Sequence, residues 1–346
     1  MKAAFYVGAE QLEIREEPLP RLEKGDWLIK VMASAVCATD SKTYLRGHPF
    51  KKPPAVLGHE VAGVVVAAPG AINNKDGPRE GERVAVAPYI PCGHCYWCSN
   101  DQPTQCTNLF AVSIEPGGFA EYVRVPAATG GRGLYRLPGE LDYAEASLTE
   151  PVACALHGIE ASRIKAGQTV FVIGDGPMGI LLARLAKAFG ARVFLSGMLP
   201  HRLKIAAQGL DGIFDASREE VDLRPYTGGR GADVVLIAVG VQEAISQGVR
   251  NVRRGGIVNF FAGLPQGMSF PLELEQVHYG EVTFIGTFGF SPGQFARALE
   301  FIASRRIYVD DLITGYYLLS DTEQALKDAL AGKGLKSVIL PWGDKV

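Results

Sequence analysis

Two kinds of hydrophobic pattern divide the chain. Up to about residue 142 the apolar positions fall in short runs bounded by glycine, proline or charge. Residues 26–36 (DWLIKVMASAV), 56–66 (VLGHEVAGVVV) and 81–87 (GERVAVA) are the clearest. Such β-branched runs predict strands, and no long segment of 3.6-residue period accompanies them. From residue 143 the pattern changes. YAEASLTEPVACALHGIEASRI has helical spacing, and strands and helices then alternate. The expected order is strand 169–173 (TVFVI), helix 178–189, strand 192–195, helix near 201–208, strand 233–239, helix 242–253 and strand 256–261. Nearly continuous apolar strands separated by amphipathic helices predict a parallel sheet covered on both faces. A helix from residue 291, a strand-like LITGYYLL, a helix at 321–331 and the strand SVILP close the chain, and this tail is expected to return to the first domain.

At 346 residues the natural expectation is two domains. Hydrophobic residues at 47% and charged residues at 21% suit a chain with a sizeable core and exclude wholesale disorder. Lys plus Arg number 35 against 37 for Asp plus Glu, a balance that argues against nucleic acid or an anionic membrane as partner. No run of 18 apolar residues predicts a membrane span, and the opening segment lacks the apolar core of a secretion signal. A cytoplasmic protein is expected. That changes how the cysteines read, because clustered thiols in a reducing compartment favour metal over disulfides.

Four of the six cysteines follow Cys92-x2-Cys95-x2-Cys98-x7-Cys106. Four thiolates on one compact lobe suit a closed, tetrahedral structural zinc. Disulfides and a nucleic-acid knuckle are the alternatives, opposed by the compartment and the charge balance respectively. His94 is expected to face solvent, since four sulfurs already complete the shell.

The second motif is VFVIGDGPMGI. An apolar strand runs into Gly174-Asp175-Gly176-Pro177-Met178-Gly179 and a helix follows at once. Glycines there let backbone N–H groups approach a pyrophosphate at a helix N-terminus. A lone G-x-G-x-x-G says little, but one placed between strand and helix inside a repeating β/α pattern predicts a nicotinamide-dinucleotide site. The acid that usually follows about 20 residues on, at the end of the second strand, is missing. Gly197 stands near that place, no Asp or Glu occurs between Asp175 and Asp211, and His201, Arg202 and Lys204 lie just beyond. Loss of the carboxylate removes repulsion toward a 2′-phosphate, and the basic residues could attract one, which tilts the reading toward NADP(H) or dual use. In the alternative, Arg202 lies along the adenine or in solvent and NAD(H) binds through other contacts.

The third constellation is dispersed: Cys37-Ala38-Thr39-Asp40 after one strand, Gly58-His59-Glu60 opening another, and Glu150-Pro151 in the first helical segment. Cys, His and carboxylate together form a catalytic zinc set with one position open. Singly, each has an ordinary reading: Cys37 as a buried thiol, Glu150 as an acid at a helix N-terminus.

These pieces, in this order, resemble the zinc-dependent medium-chain alcohol/polyol dehydrogenase family over essentially the whole chain, and Glu150-Pro151 resembles its sorbitol/threonine dehydrogenase branch. The resemblance implies an α/β protein: a GroES-like β-rich catalytic domain over 1–152 and 292–346, with the structural zinc lobe at about 88–110, around a doubly wound Rossmann domain over 153–291. It implies two zinc ions per chain. Cys37, His59 and Glu60 would hold the catalytic one, with Glu150 as a further ligand, direct or through water. Thr39 would hydrogen-bond the substrate oxygen, and Asp40 would fix the tautomer of His59. The Lewis-acidic ion would ionise the substrate hydroxyl while hydride passes to the nicotinamide. Gly174, Gly176, Pro177, Met178, Gly179, Gly197 and Arg202 would contact the cofactor. The implied substrate is a secondary alcohol, polyol or ketose, and the implied assembly a homo-oligomer, a tetramer rather than a dimer. The rivals are an L-threonine-type amino-alcohol dehydrogenase and a non-catalytic NADPH- or zinc-binding member.

The sequence departs from the family after Asp40. A His expected three residues beyond Thr39 is replaced by Lys42, which is a candidate to take over the proton exit. The segment from Ser41 to His59 holds Lys42, Arg46, His48, Lys51 and Lys52 and no acid. It reads either as a solvated surface segment or as one that admits an anionic substrate such as a sugar-alcohol phosphate or hydroxy acid.

Overall fold

The computed structural model describes residues 1–49, 51–70, 77–129 and 131–343. The chain forms two compact units. One comprises Met1–Ala153, Phe290–Arg305 and Val309–Val346; the other comprises Cys154–Gly289 and Arg306–Tyr308.

The first unit is built around the strand Trp27–Ala35. Its residues are almost all buried because it has neighbours on both edges: Glu60–Ala67 runs antiparallel along one, while Tyr122–Val125 and Lys336–Leu340 take successive parts of the other. The sheet continues through Arg83–Val86 to Leu134–Arg136, and on the far side Lys336–Leu340 pairs in parallel with Ile313–Leu318. Trp27, Ile29, Val31, Val61, Val65, Val84, Val86, Val123 and Val125 interdigitate inside it. A small sheet of Gln11–Glu16, Lys2–Gly8 and Ala55–Val56 covers a second apolar cluster that includes Tyr44, Phe119 and Leu326.

Among the elements of this unit that sequence periodicity did not single out is the helix Ala38–Arg46. Its buried residues are Asp40, Ser41, Thr43 and Tyr44, so no apolar stripe announces it. Its start is set by a cap: Cys37 lies in the extended region and its N–H donates to Asp40 Oδ2 at 3.1 Å.

The second unit carries a six-stranded sheet whose neighbouring strands pair in parallel, in the spatial order Gly212–Asp215, Arg192–Gly197, Thr169–Ile173, Ala232–Ile237, Val252–Phe260, Thr283–Gly286. Counted along the chain this is 3-2-1-4-5-6, the doubly wound dinucleotide-binding order, with its switch point beside the first strand. Thr169–Ile173 is buried at every position, as a central parallel strand covered on both faces must be. The edge strand Gly212–Asp215 is too short and too interrupted by glycine and acid for the hydrophobic pattern to reveal. Among the described residues no helix is long and apolar enough to cross a membrane.

Candidate active site

Cys37, His59 and Glu60 come together in the first unit. One donor atom from each lies within 4.8 Å of the others. Cys37 precedes the helix Ala38–Arg46, and His59 and Glu60 start the strand Glu60–Ala67, whose pairing opposite Ala35 fixes both in register. Asp40 ties the two loops together. Its Oδ1 accepts from the Gly58 N–H at 3.1 Å and faces His59 Nδ1 at 3.3 Å, while Oδ2 takes the Cys37 N–H. Burial alone would raise the Asp40 carboxyl, but His59 and the two backbone donors hold it below its ordinary value. For His59, burial acts downward and is outweighed by Asp40 and Cys37, which push its pKa well up. With Nδ1 engaged by Asp40, the imidazole can offer its Nε2 outward as a ligand.

Glu60 is fully buried and does not stand alone. Lys336, carried in by the strand Lys336–Leu340, donates to its Oε1 at 2.6 Å and Oε2 at 2.5 Å, and to the Val36 carbonyl at 3.2 Å. Burial works against a charged lysine here; Glu60 first, then Cys37 and Glu150, reverse the balance and raise its pKa. Lys336 was missed by sequence reasoning. Its one signal is a cation opening a mostly apolar strand, KSVIL. Glu150 is buried in the first turn of the helix Thr149–Ala161, close enough for Lys336 to feel its charge, but outside the three-donor group. Thr39 and Lys42 are exposed on the helix Ala38–Arg46.

Cys92, Cys95, Cys98 and Cys106 form a second group, again with all four sulfurs within 4.8 Å. A tetrahedron with zinc–sulfur bonds of about 2.3 Å has edges of about 3.8 Å. Cys95–Cys98 at 3.6 Å and Cys92–Cys98 at 4.0 Å match that edge and are far too long for a disulfide. N–H groups of Cys92 and Asn108 point at the Cys106 sulfur, and that of Gly93 at Cys98. The thiols titrate against one another: the Cys98 N–H leads in bringing Cys95 down to about 6, while burial leads in pushing Cys98 up to about 12. Four thiolates so close need a cation to coexist, and the donor set fits zinc. His94 is exposed, its Nδ1 3.1 Å from the Cys92 carbonyl oxygen.

In the second unit the glycine turn follows the central strand directly. Gly174 has φ of 120°, and a Cβ on Gly179 would fall 1.9 Å from the Gly174 carbonyl oxygen. Only hydrogen at 179 lets the helix Pro177–Ala188 start so close to the strand end. Gly176 caps that helix, Pro177 and Met178 form its first turn, and a Cβ on Gly176 would meet open space. Gly197 ends the strand Arg192–Gly197, but the place its side chain would take is filled by Asp175. The sequence reading of this strand end as free of carboxylate is therefore corrected: no acid is encoded there, yet one is delivered from the neighbouring turn.

Residues 23–138 match the alcohol dehydrogenase GroES-like domain and residues 177–304 match zinc-binding dehydrogenase. The chain is 30% identical over 352 residues to sorbitol dehydrogenase of Bacillus subtilis (strain 168), covering 99% of this chain and 97% of that one. It is 33% identical over 308 residues to L-galactonate-5-dehydrogenase of Escherichia coli (strain K12), covering 88% and 87%. A protein from Sinorhizobium meliloti 1021, solved as a zinc-binding dehydrogenase bound to NADP, superposes with a TM-score of 0.90 at 32% identity over 98% of this chain and 99% of its own. The chain belongs to the zinc-dependent medium-chain dehydrogenase family. It is a zinc- and nicotinamide-dependent oxidoreductase, with a GroES-like unit and a Rossmann-type parallel sheet.

Proposed function

We propose that the protein interconverts a secondary alcohol of a polyol and the corresponding ketone, using the first unit for the alcohol and the second for the nicotinamide dinucleotide. The observation that carries this is the convergence of Cys37, His59 and Glu60 beside an exposed Thr39, in a chain about a third identical to sorbitol and L-galactonate dehydrogenases. Cys37 and His59 would hold zinc, with Glu60 and Glu150 as the carboxylates nearest to it. The bound ion supplies Lewis acidity that lowers the pKa of a substrate hydroxyl, and the nicotinamide accepts or returns the hydride.

The chain's own residues do the rest. Asp40 locks the His59 ring, and Lys336 fixes the Glu60 carboxylate through both of its oxygens. Thr39, on the first turn of the helix Ala38–Arg46, orients the hydroxyl and relays its proton, accepting it as it gives up its own, and Lys42, one turn on, would complete the exit by releasing a proton to solvent as it takes the one from Thr39. The Cys92, Cys95, Cys98 and Cys106 lobe holds the structural zinc.

The anionic form of the substrate has a specific observation behind it. Thr39, Lys42 and Arg46 are exposed and fall at i, i+3 and i+7 on one helix. The rise places Lys42 about 4.5 Å and Arg46 about 10.5 Å beyond Thr39 along the axis. A five- or six-carbon polyol with its reacting hydroxyl at Thr39 would present a terminal carboxylate or phosphate to these cations. Of the two cofactors, the basic residues after Gly197 favour NADP(H), while Asp175 weighs toward NAD(H). Self-association would use Thr283–Gly286, which ends the sheet and pairs with Val252–Phe260 on one side; light scattering on the eluting peak reads the subunit number.

The test is a panel of polyols, the matching aldonates and polyol phosphates, run with NAD⁺ and NADP⁺, together with metal analysis. Two zincs per chain and turnover on a polyol-type substrate support the reading; one zinc with no turnover supports the non-catalytic member. Equal kcat/KM on a polyol and its phosphate, unchanged in Arg46→Ala, removes the anionic reading alone.

A further inference from the structure

The second strand of the parallel sheet ends at Gly197, where a dinucleotide fold ordinarily carries an acid for the adenosine ribose. A Cβ built on Gly197 would lie 2.3 Å from the Asp175 Cβ and 2.5 Å from its Oδ2. The glycine and the aspartate are complementary: the first has no side chain because the second occupies the space. Asp175 is held rigidly, 9% exposed, with Oδ2 accepting the N–H of Met198 at 2.8 Å and of Leu199 at 2.7 Å. Both backbone donors at this strand end are thus engaged by a carboxylate of the same chain. Arg202, the cation nearest in sequence that could have drawn a phosphate, already lies within the field of Asp175.

We propose that Asp175, from the second position of the glycine turn, replaces the missing strand-end acid, accepts the adenosine ribose hydroxyls and selects NAD(H) against NADP(H). The proposal rests on the glycine turn being the dinucleotide site. A ribose hydroxyl donates to the carboxylate, whereas a 2′-phosphate has no proton to offer it, carries like charge and finds the Met198 and Leu199 amides taken. A charge-assisted hydrogen bond of this kind corresponds to about 10- to 100-fold in affinity. The residue is a specificity determinant of binding, so its effect is legible without turnover.

The experiment is calorimetric titration of the zinc-loaded full chain with NADH, NADPH, ADP-ribose and 2′-phospho-ADP-ribose. The wild type is expected to bind NADH and ADP-ribose at least about 10-fold tighter than their 2′-phosphorylated forms. Asp175→Asn keeps an acceptor for the two amides but loses the charge; it should weaken NADH, strengthen NADPH and bring the ratio toward one. The paired exchange Asp175→Gly with Gly197→Asp returns the acid to the strand and should restore the preference for NADH. That exchange decides the matter if the asparagine variant does not fold. Wild-type protein that binds NADPH as tightly as NADH, or an Asp175→Asn variant with an unchanged ratio, overturns the inference and leaves the dinucleotide site standing. Failure of the wild type to bind any of the four ligands overturns both.

Discussion

Replacing Lys336 by methionine removes the cation from a fully buried pair while keeping much of its stem volume. The ammonium makes two short hydrogen bonds to Glu60 and a third to the Val36 carbonyl, and both partners are out of solvent. Stripping one partner from such a pair costs about 3–5 kcal/mol, chiefly because the other charge stays buried without compensation. A value near the lower end, about 3 kcal/mol, is expected in the holoenzyme, since a dication beside Glu60 would offset part of the loss. All three tryptophans, Trp27, Trp97 and Trp342, belong to the first unit, so intrinsic fluorescence follows its unfolding alone. With a urea slope of about 3 kcal/mol/M the midpoint should fall by about 1 M. Glu60→Gln with Lys336→Met removes both charges together and should return to within about 1 kcal/mol of wild type, leaving a coupling of at least about 2 kcal/mol in the cycle. A Lys336→Met midpoint indistinguishable from wild type, or strictly additive single changes, would refute the reasoning.

Other perturbations separate the remaining parts. Asp26 is buried, bonded to Arg124 and to the N–H groups of Glu23 and Ala127; burial would raise its carboxyl, but these donors hold it below the ordinary value. Its contribution is therefore complete above the unfolded carboxylate value of about 3.9 and is lost as pH falls through the lower folded one. Asp26→Ala should cost about 3–5 kcal/mol at pH 7 and flatten the acid limb of the stability curve, read by the same fluorescence titration. Cys98→Ser should drop the metal content from two zincs to one by atomic emission and expose the lobe to limited proteolysis. Gly179→Ala forces a methyl into the Gly174 carbonyl; overpacking of about 1–3 kcal/mol and a large loss of NADH affinity by calorimetry are expected, with the tryptophan-reported unit unaffected.

What could be read from the sequence followed the range of the interaction. The cysteine lobe is local, and its spacing predicted a cluster whose sulfurs do converge. TVFVI declared itself because a strand covered on both faces must be apolar throughout. The helix Ala38–Arg46 did not, because it buries Asp40, Ser41 and Thr43 rather than an apolar stripe. A capping pattern, Cys37 followed three residues later by Asp40, was its only local sign. Lys336 could not be assigned to Glu60 because 276 residues separate them. Asp175 and Gly197 were each conspicuous, one as an acid inside a glycine turn and the other as a glycine where an acid belongs. Joining them required the parallel pairing that sets the two strand ends side by side.

That long separation has a bearing on how the chain comes off the ribosome. At about 5–20 residues per second, Glu60 waits on the order of tens of seconds for its lysine. Meanwhile nearly all of the second unit, a contiguous stretch apart from Arg306–Tyr308, has already emerged. The strand Trp27–Ala35 meanwhile shows an open edge next to Ala35 until Lys336–Leu340 arrives. The counter-charge of Glu60 and the last edge of that strand therefore both depend on a segment synthesised after the second unit, so the first unit is completed last.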